Sequence, residues 1–197
     1  MIISTTILAA GRSLRMKDDN KLLLPFQGNM VIYQVCNTIL NSGLKPVIVV
    51  TGFEHKKIEK ALPKSIDQII YNPEWEQGMA GSIYAGMSLL PDNIDGNMIV
   101  LGDMPLITIQ TLEKLVEQFC NFEGQHIIYP VHAGRQANPV IFPRKYFKDI
   151  LSSTGDKGCK RVLNQFPDDA VQVPVDSNEV VLDCDTKDDY FRMIEQN

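Results

Sequence analysis

An α/β fold, with a mostly parallel sheet covered by helices on both faces, is what this chain predicts from three observations. Short apolar runs rich in β-branched residues alternate with stretches of helical period, which is the pattern of successive βα units. The runs at 2–8, 46–51 and 97–101 read as buried strands, and strands buried on both faces belong to parallel sheets. Finally, 197 residues with 44% apolar and 22% charged side chains suit one domain with a large core.

The elements follow in order. Residues 2–8 form the first strand and run straight into the small residues Ala9, Ala10 and Gly11. A helix over 31–41 stops at Gly43, and P-V-I-V-V-T at 46–51 is the second strand. A helix over 54–62 ends at Pro63, a short strand covers 67–71, and a helix over 82–90 ends at Pro91. The strand at 97–101 leads into G-D-M-P, and Thr108 caps an amphipathic helix over 108–120. Beyond residue 125 the regularity weakens. Strands are expected at 127–131, 138–142, 170–175 and 180–183, with a polar loop at 132–136. Helices are expected over 158–166 and 186–194, the last capped by Thr186. With no repeat and no low-complexity linker, the chain is expected to form one domain over 1–197.

Composition excludes several classes. A net charge of -5 argues against nucleic acid as the main partner. No apolar run approaches the roughly 20 residues that span a bilayer. The first residues show neither a basic n-region nor a cleavage site, so no signal peptide is expected. Cys36, Cys120, Cys159 and Cys184 are scattered, without a C-x-x-C pair or clustered histidines. A disulfide framework or zinc site is therefore not expected, and a reducing cytoplasm is.

The chemistry concentrates after the first strand. Between Arg12 and Lys21 the loop carries the cations Arg12, Arg15, Lys17 and Lys21 against Asp18 and Asp19, in a protein that is acidic overall. Small residues let a backbone approach an anion, arginine offers a planar fork to phosphate and lysine a mobile charge. A polyphosphate ligand explains such a loop; a solvated surface loop has the same composition. It is neither the G-x-G-x-x-G fingerprint of dinucleotide oxidoreductases nor a P-loop.

In open α/β sheets ligands sit beyond the carboxyl ends of the strands. Asp103 follows the 97–101 strand, and Asp183 and Asp185 follow 180–182. Carboxylates meeting there suit Mg²⁺, which takes oxygen ligands and shares them with phosphates. The same residues also serve as turn residues or helix caps. G-M-A-G-S at 78–82 leaves room for a flat base or for close helix packing. R-Q-A-N-P at 135–139 and G-D-K-G at 155–158 line an acceptor site or simply turn the chain. His55, His126 and His132 lie far apart, and no Ser-His-Asp or Cys-His arrangement is suggested.

Taken together, these blocks resemble the MobA-like nucleotidyltransferases. The signature loop matches at Leu8, Ala9, Ala10, Gly11, Ser13, Arg15, Met16 and residues 20–23. G-D-M-P at 102–105, N-P-V-I-F at 138–142, G-D-K-G at 155–158 and D-C-D-T-x-x-D-Y at 183–190 are similar to later blocks. The resemblance implies a Rossmann-like three-layer α/β/α fold of the nucleotide-diphospho-sugar transferase type. It implies a nucleotide-binding half over 1–125 and an acceptor-side half over 126–197 that completes the sheet. Leu8, Ala9, Ala10, Gly11, Ser13 and Gly102 would wrap the nucleotide, with Gly78 and Ser82 near its base. Arg15 and Lys21 would hold the phosphates and act in catalysis with Asp103. Asp103 and Asp185 would bind Mg²⁺, and Asn138, Pro139, Asp156 and Lys157 would meet the acceptor.

L-A-A-G in place of L-A-G-G, and G-D-M-P in place of C-D-x-P, favour cytidylyl over guanylyl transfer. The implied reaction moves CMP from CTP to the terminal phosphate of a molybdopterin-type cofactor and releases pyrophosphate. A recipient molybdoenzyme or its chaperone is the implied partner. Lys17, Ala137 and Cys159 depart from the family pattern. Alternatives are guanylyl transfer from GTP, a sugar or metabolite phosphate as acceptor, or a non-catalytic nucleotide- or cofactor-binding chaperone.

Overall fold

The computed structural model describes residues 1–13, 16, 19–153, 155 and 159–195. In chain order these hold β1 (Ile3–Ala9), a hairpin of β2 (Pro25–Phe26) and β3 (Asn29–Met30), α1 (Val31–Asn41), β4 (Val47–Thr51) and α2 (His55–Ala61). Next come β5 (Gln68–Tyr71), α3 (Met79–Met87), β6 (Gly96–Leu101), α4 (Ile109–Asn121), β7 (Ile127–His132), β8 (Arg135–Gln136) and β9 (Val140–Pro143). The chain closes with α5 (Phe147–Leu151), α6 (Lys160–Gln165), β10 (Ala170–Pro174) and α7 (Lys187–Glu195).

The main sheet has the order β10-β7-β9-β6-β1-β4-β5, with β8 paired to β7. Strands β6, β1, β4 and β5 are mutually parallel, and β9 runs antiparallel between β6 and β7. The side-chain period of two divides the core between the faces. Met98 and Val100 join α1, α2 and α4 in one buried cluster, whereas Ile99 joins α3, α5 and α6 in the other. Helices thus cover both faces, as the buried strand runs require. Among the described residues no helix is long and apolar enough to cross a membrane.

Local signals set several boundaries as expected. Thr108 accepts the Thr111 N–H at 3.2 Å, and Gly43 stands past the end of α1 with φ 79°. Thr186 and Asp189 exchange bonds at the start of α7, Thr186 Oγ1 accepting from the Asp189 N–H at 3.2 Å. Helix α3 begins earlier than the expected 82, because Gly78 at φ 106° turns the chain directly into it. It also lies unusually close to the sheet: a Cβ on Gly86 would come within 2.6 Å of Thr6 Cγ2 and 2.9 Å of Val50 Cγ2. The segment expected as a strand at 180–183 is not one. Asn178–Val180 is a 3₁₀ turn, and the residues after it dock by side chains and single backbone bonds rather than by a ladder.

Candidate functional site

Parallel pairing brings the carboxyl ends of β1, β4, β5 and β6 to one edge, so the loops that follow them converge. The loop after β1 is pinned by the Phe53 N–H, which donates to the Ala10 carbonyl at 3.0 Å. Gly52 permits this approach, since a Cβ there would lie 2.7 Å from the Ala10 oxygen and 2.6 Å from Trp75 Cβ. Ser13 adopts the left-handed region at φ 57°, and its Oγ accepts the Lys21 N–H at 3.2 Å. Asn20 caps the 3₁₀ turn Lys21–Leu23 and donates through its amide to Glu54 at 3.2 Å. Lys21 is therefore presented from a braced turn.

Its ammonium forms an ion pair with the buried Asp103 and another with Asp185 at 2.8 Å. Burial works against the Lys21 charge, but the two carboxylates outweigh it and hold the pKa above the ordinary lysine value. Asp183 completes the cluster, with one ligand oxygen from each of Asp103, Asp183 and Asp185 lying within 4.8 Å of the others. Burial, then the negative charges of Asp185 and Asp103, push the Asp183 carboxyl above the usual range. An all-oxygen, multiply negative set beyond the end of β6 suits a hard divalent cation. The residues fit such an ion.

Asp103 and Asp185 are far apart in sequence, and three ties bring them together. The Cys184 N–H donates to the Asp103 carbonyl at 3.0 Å. Tyr190 of α7 donates to the Pro25 carbonyl at 2.6 Å, and Met193 packs with Met16, Phe26 and Val31. Upstream, the buried Glu179 accepts from Thr108 Oγ1 at 2.9 Å and Thr111 Oγ1 at 2.6 Å, at the start of α4. We expect Glu179→Ala to lower unfolding stability by about 2–3 kcal/mol, because charge-assisted bonds vanish and two hydroxyls lose their acceptor. Urea titration reads this as a fall in midpoint; an unchanged midpoint would deny Glu179 its anchoring role.

A cleft of about 420 Å³ opens beside this cluster, lined among others by Gly11, Ser13, Lys21, Gly78, Ser82 and Asp185. These expected site residues therefore share one surface. Ala9 and Ala10 are buried and do not line the cleft, and Leu8 lies in β1. Gly102 sits at a close crossing instead of in the cleft. Its N–H donates to the Leu8 carbonyl at 2.9 Å, and a Cβ would lie 2.8 Å from the same oxygen. Arg15, Asp156 and Lys157 lie outside the described residues. Asn138 lines a neighbouring groove of about 290 Å³ with Gln136, Lys160 and the apolar Ile99, Val140 and Phe142; Met79 borders both spaces. Pro139 follows a cis peptide from Asn138 and is not among the residues lining that groove.

Sequence reasoning missed three participants. Trp75 forms part of the cleft wall, in the loop between β5 and α3. Buried Asn72 orders that loop, donating to Ser82 Oγ at 3.1 Å and accepting the Glu74 N–H at 3.0 Å. Glu179 is the third. The only signal for Trp75 was the chain's single tryptophan standing beside N-P in a strand-to-helix loop.

Comparison with known proteins places these features in context. Residues 5–171 match the family model of the MobA-like NTP transferase domain. The chain is 25% identical over 193 residues to the molybdenum cofactor cytidylyltransferase of Escherichia coli (strain K12), covering 96% of this chain and 94% of that one. It is 29% identical over 194 residues to the purine catabolism protein PucB of Bacillus subtilis (strain 168), covering 93% and 91%. Among solved structures, Rv0371c of Mycobacterium tuberculosis H37Rv superposes with a TM-score of 0.85 at 24% identity, over 99% of this chain and 98% of that one. Its manganese complex gives 0.82 at 24% identity with full coverage of both chains, 100% each. A nucleotidyl transferase of Methanothermobacter gives 0.85 at 22% identity, over 99% and 97%.

Proposed function

We propose that this chain, which belongs to the MobA-like NTP transferase family and is a nucleotidyltransferase, moves CMP from CTP onto a molybdopterin-type cofactor. An oxygen of the cofactor's terminal phosphate attacks the α-phosphorus of CTP. The bond from that phosphorus to the bridging oxygen of the β-phosphate breaks, pyrophosphate leaves, and molybdopterin cytosine dinucleotide forms. The observation that carries this reading is the cluster of Lys21, Asp103 and Asp185 at the edge of a cleft floored by small residues, in a chain similar end to end to a cytidylyltransferase.

Phosphoryl-type transfer asks the protein for positioning and for charge that offsets the phosphates. Gly11 and Ser13 bring backbone close to the triphosphate, Gly78 and Ser82 flank the base, and Lys21 turns from its carboxylates toward the phosphates. Arg15 stands with Lys21 in this role. Asp103 and Asp185, with Asp183 beside them, would hold Mg²⁺, which when bound neutralises triphosphate charge. Asn138 and Pro139, together with Asp156 and Lys157, serve the acceptor side. The groove beside Asn138 supports an acceptor with a flat ring system, because Ile99, Val140 and Phe142 offer it apolar walls. A cytoplasmic molybdoenzyme or its chaperone would receive the product.

The test is pyrophosphate release with Mg²⁺ and molybdopterin cofactor, offering CTP, GTP and ATP in parallel. CTP is expected to be preferred by more than about tenfold in kcat/KM. Preference for GTP would overturn the base assignment, and turnover only with a sugar phosphate would overturn the acceptor.

A further inference from the structure

Resting on the nucleotidyltransferase reading, we propose that Arg12 is a further cation that joins Lys21 on the β- and γ-phosphates and then takes the departing pyrophosphate, and that Phe53, backed by Trp75, holds it in wait. Arg12 and Lys21 are the cations lining the cleft among the described residues. Lys21 is already engaged by Asp103 and Asp185. Arg12 forms no ion pair among the described residues; its guanidinium lies over the Phe53 ring, 5.6 Å from the centroid. Phe53 in turn meets Trp75 edge to face, with centroids 5.5 Å apart at 62°.

This stack is built into the backbone. Phe53 is tied to Ala10 through its N–H, and Gly52 admits Trp75 and the Ala10 carbonyl at distances no Cβ would allow. Arg12 is exposed at the rim of the cleft, whereas the Lys21 side chain is 16% exposed at its floor. An exposed cation–π contact is weak beside a bidentate bond from guanidinium to phosphate. Arg12 therefore leaves Phe53 at little cost when a polyphosphate enters, and it carries a full charge to the rim, where a leaving pyrophosphate departs. Loss of that contact alters the surroundings of Trp75, the chain's single tryptophan.

The experiment titrates wild type, Arg12→Ala and Arg12→Lys with Mg²⁺ pyrophosphate and with Mg²⁺ CTP, by calorimetry and by tryptophan emission. Arg12→Ala is expected to bind both ligands roughly 10- to 100-fold more weakly. It is also expected to lose the emission change seen in the wild type, and Arg12→Lys to recover part of the affinity as a charge without the fork. Wild-type affinity in Arg12→Ala overturns the assignment. Wild type that binds pyrophosphate but no nucleoside triphosphate, with Arg12→Ala weakened, overturns the nucleotidyltransferase reading and keeps Arg12 as a polyphosphate ligand. Wild type that binds neither ligand overturns both.

Discussion

Asp103→Asn is expected to lower nucleotidyl transfer on the order of 10³-fold while leaving the protein folded. The substitution keeps the size of a side chain that is only 10% exposed, and an amide oxygen still accepts from the Lys21 ammonium. What it removes is the negative charge at the end of β6 that a divalent cation requires. The backbone of residue 103 is held independently, through its carbonyl and the Cys184 N–H at 3.0 Å, so Asp185 stays in place. The loss should therefore be electrostatic, not conformational. Pyrophosphate release measured across a range of Mg²⁺ concentrations separates the two, since a weakened metal site is partly rescued by more metal. Mn²⁺ affinity should fall in parallel. Activity near that of the wild type would remove Asp103 from the catalytic assignment altogether.

That such an experiment can be framed at all shows what the sequence makes legible. The buried runs at β1, β4 and β6 are readable because the sheet covers them on both faces, and Met98, Ile99 and Val100 divide between two clusters by simple alternation. Thr108, Thr186 and Gly43 are local signals whose partners lie within a few residues, so their roles need no tertiary knowledge. The segment at 180–183 shows the opposite case. Val180, Val181 and Leu182 carry a strand's composition, yet Glu179 anchors them to α4 and the Val180 carbonyl accepts the Asn138 N–H at 3.2 Å. Three apolar residues cannot say whether they will join a ladder or dock singly. The site divides in the same way. Asp103 is recognisable as a strand-end carboxylate, whereas Asp185 follows a 180–182 run that forms no strand; its meeting with Lys21 spans 164 residues and depends on α7 closing over the β2–β3 hairpin. The roles of Trp75 and Asn72 could not be read from sequence, because they lie in contacts with Gly52, Phe53 and Ser82 that form only once β4, β5 and α3 share an edge.

Lys21→Ala should cut transfer on the order of 10²–10³-fold, the scale of losing one charged donor to a transition state, and should do so while tightening metal binding to the free protein. The two effects have opposite signs because, in the function proposed above, Lys21 would serve two anions in turn. Without ligands its ammonium sits on Asp103 and Asp185, where it occupies the charge that a divalent cation would otherwise compensate. Its pKa is raised by those carboxylates against the opposing effect of burial, so it remains charged across the physiological range and competes with the metal throughout. Removing it leaves three clustered carboxylates facing a smaller positive field, and Mn²⁺ titration of the nucleotide-free variant should show higher affinity. In the presence of nucleotide the same absence exposes the phosphates, and transfer falls. A purely structural lysine predicts something different: weaker metal binding and weaker activity together, as the cluster springs apart. Lys21→Arg separates charge from shape, since it restores a cation but cannot reproduce a compact ammonium between two carboxylates, and it should recover only part of the rate. If Lys21→Ala bound Mn²⁺ more weakly than the wild type, the competition between lysine and metal would be wrong, and Lys21 would be a brace for the acidic cluster.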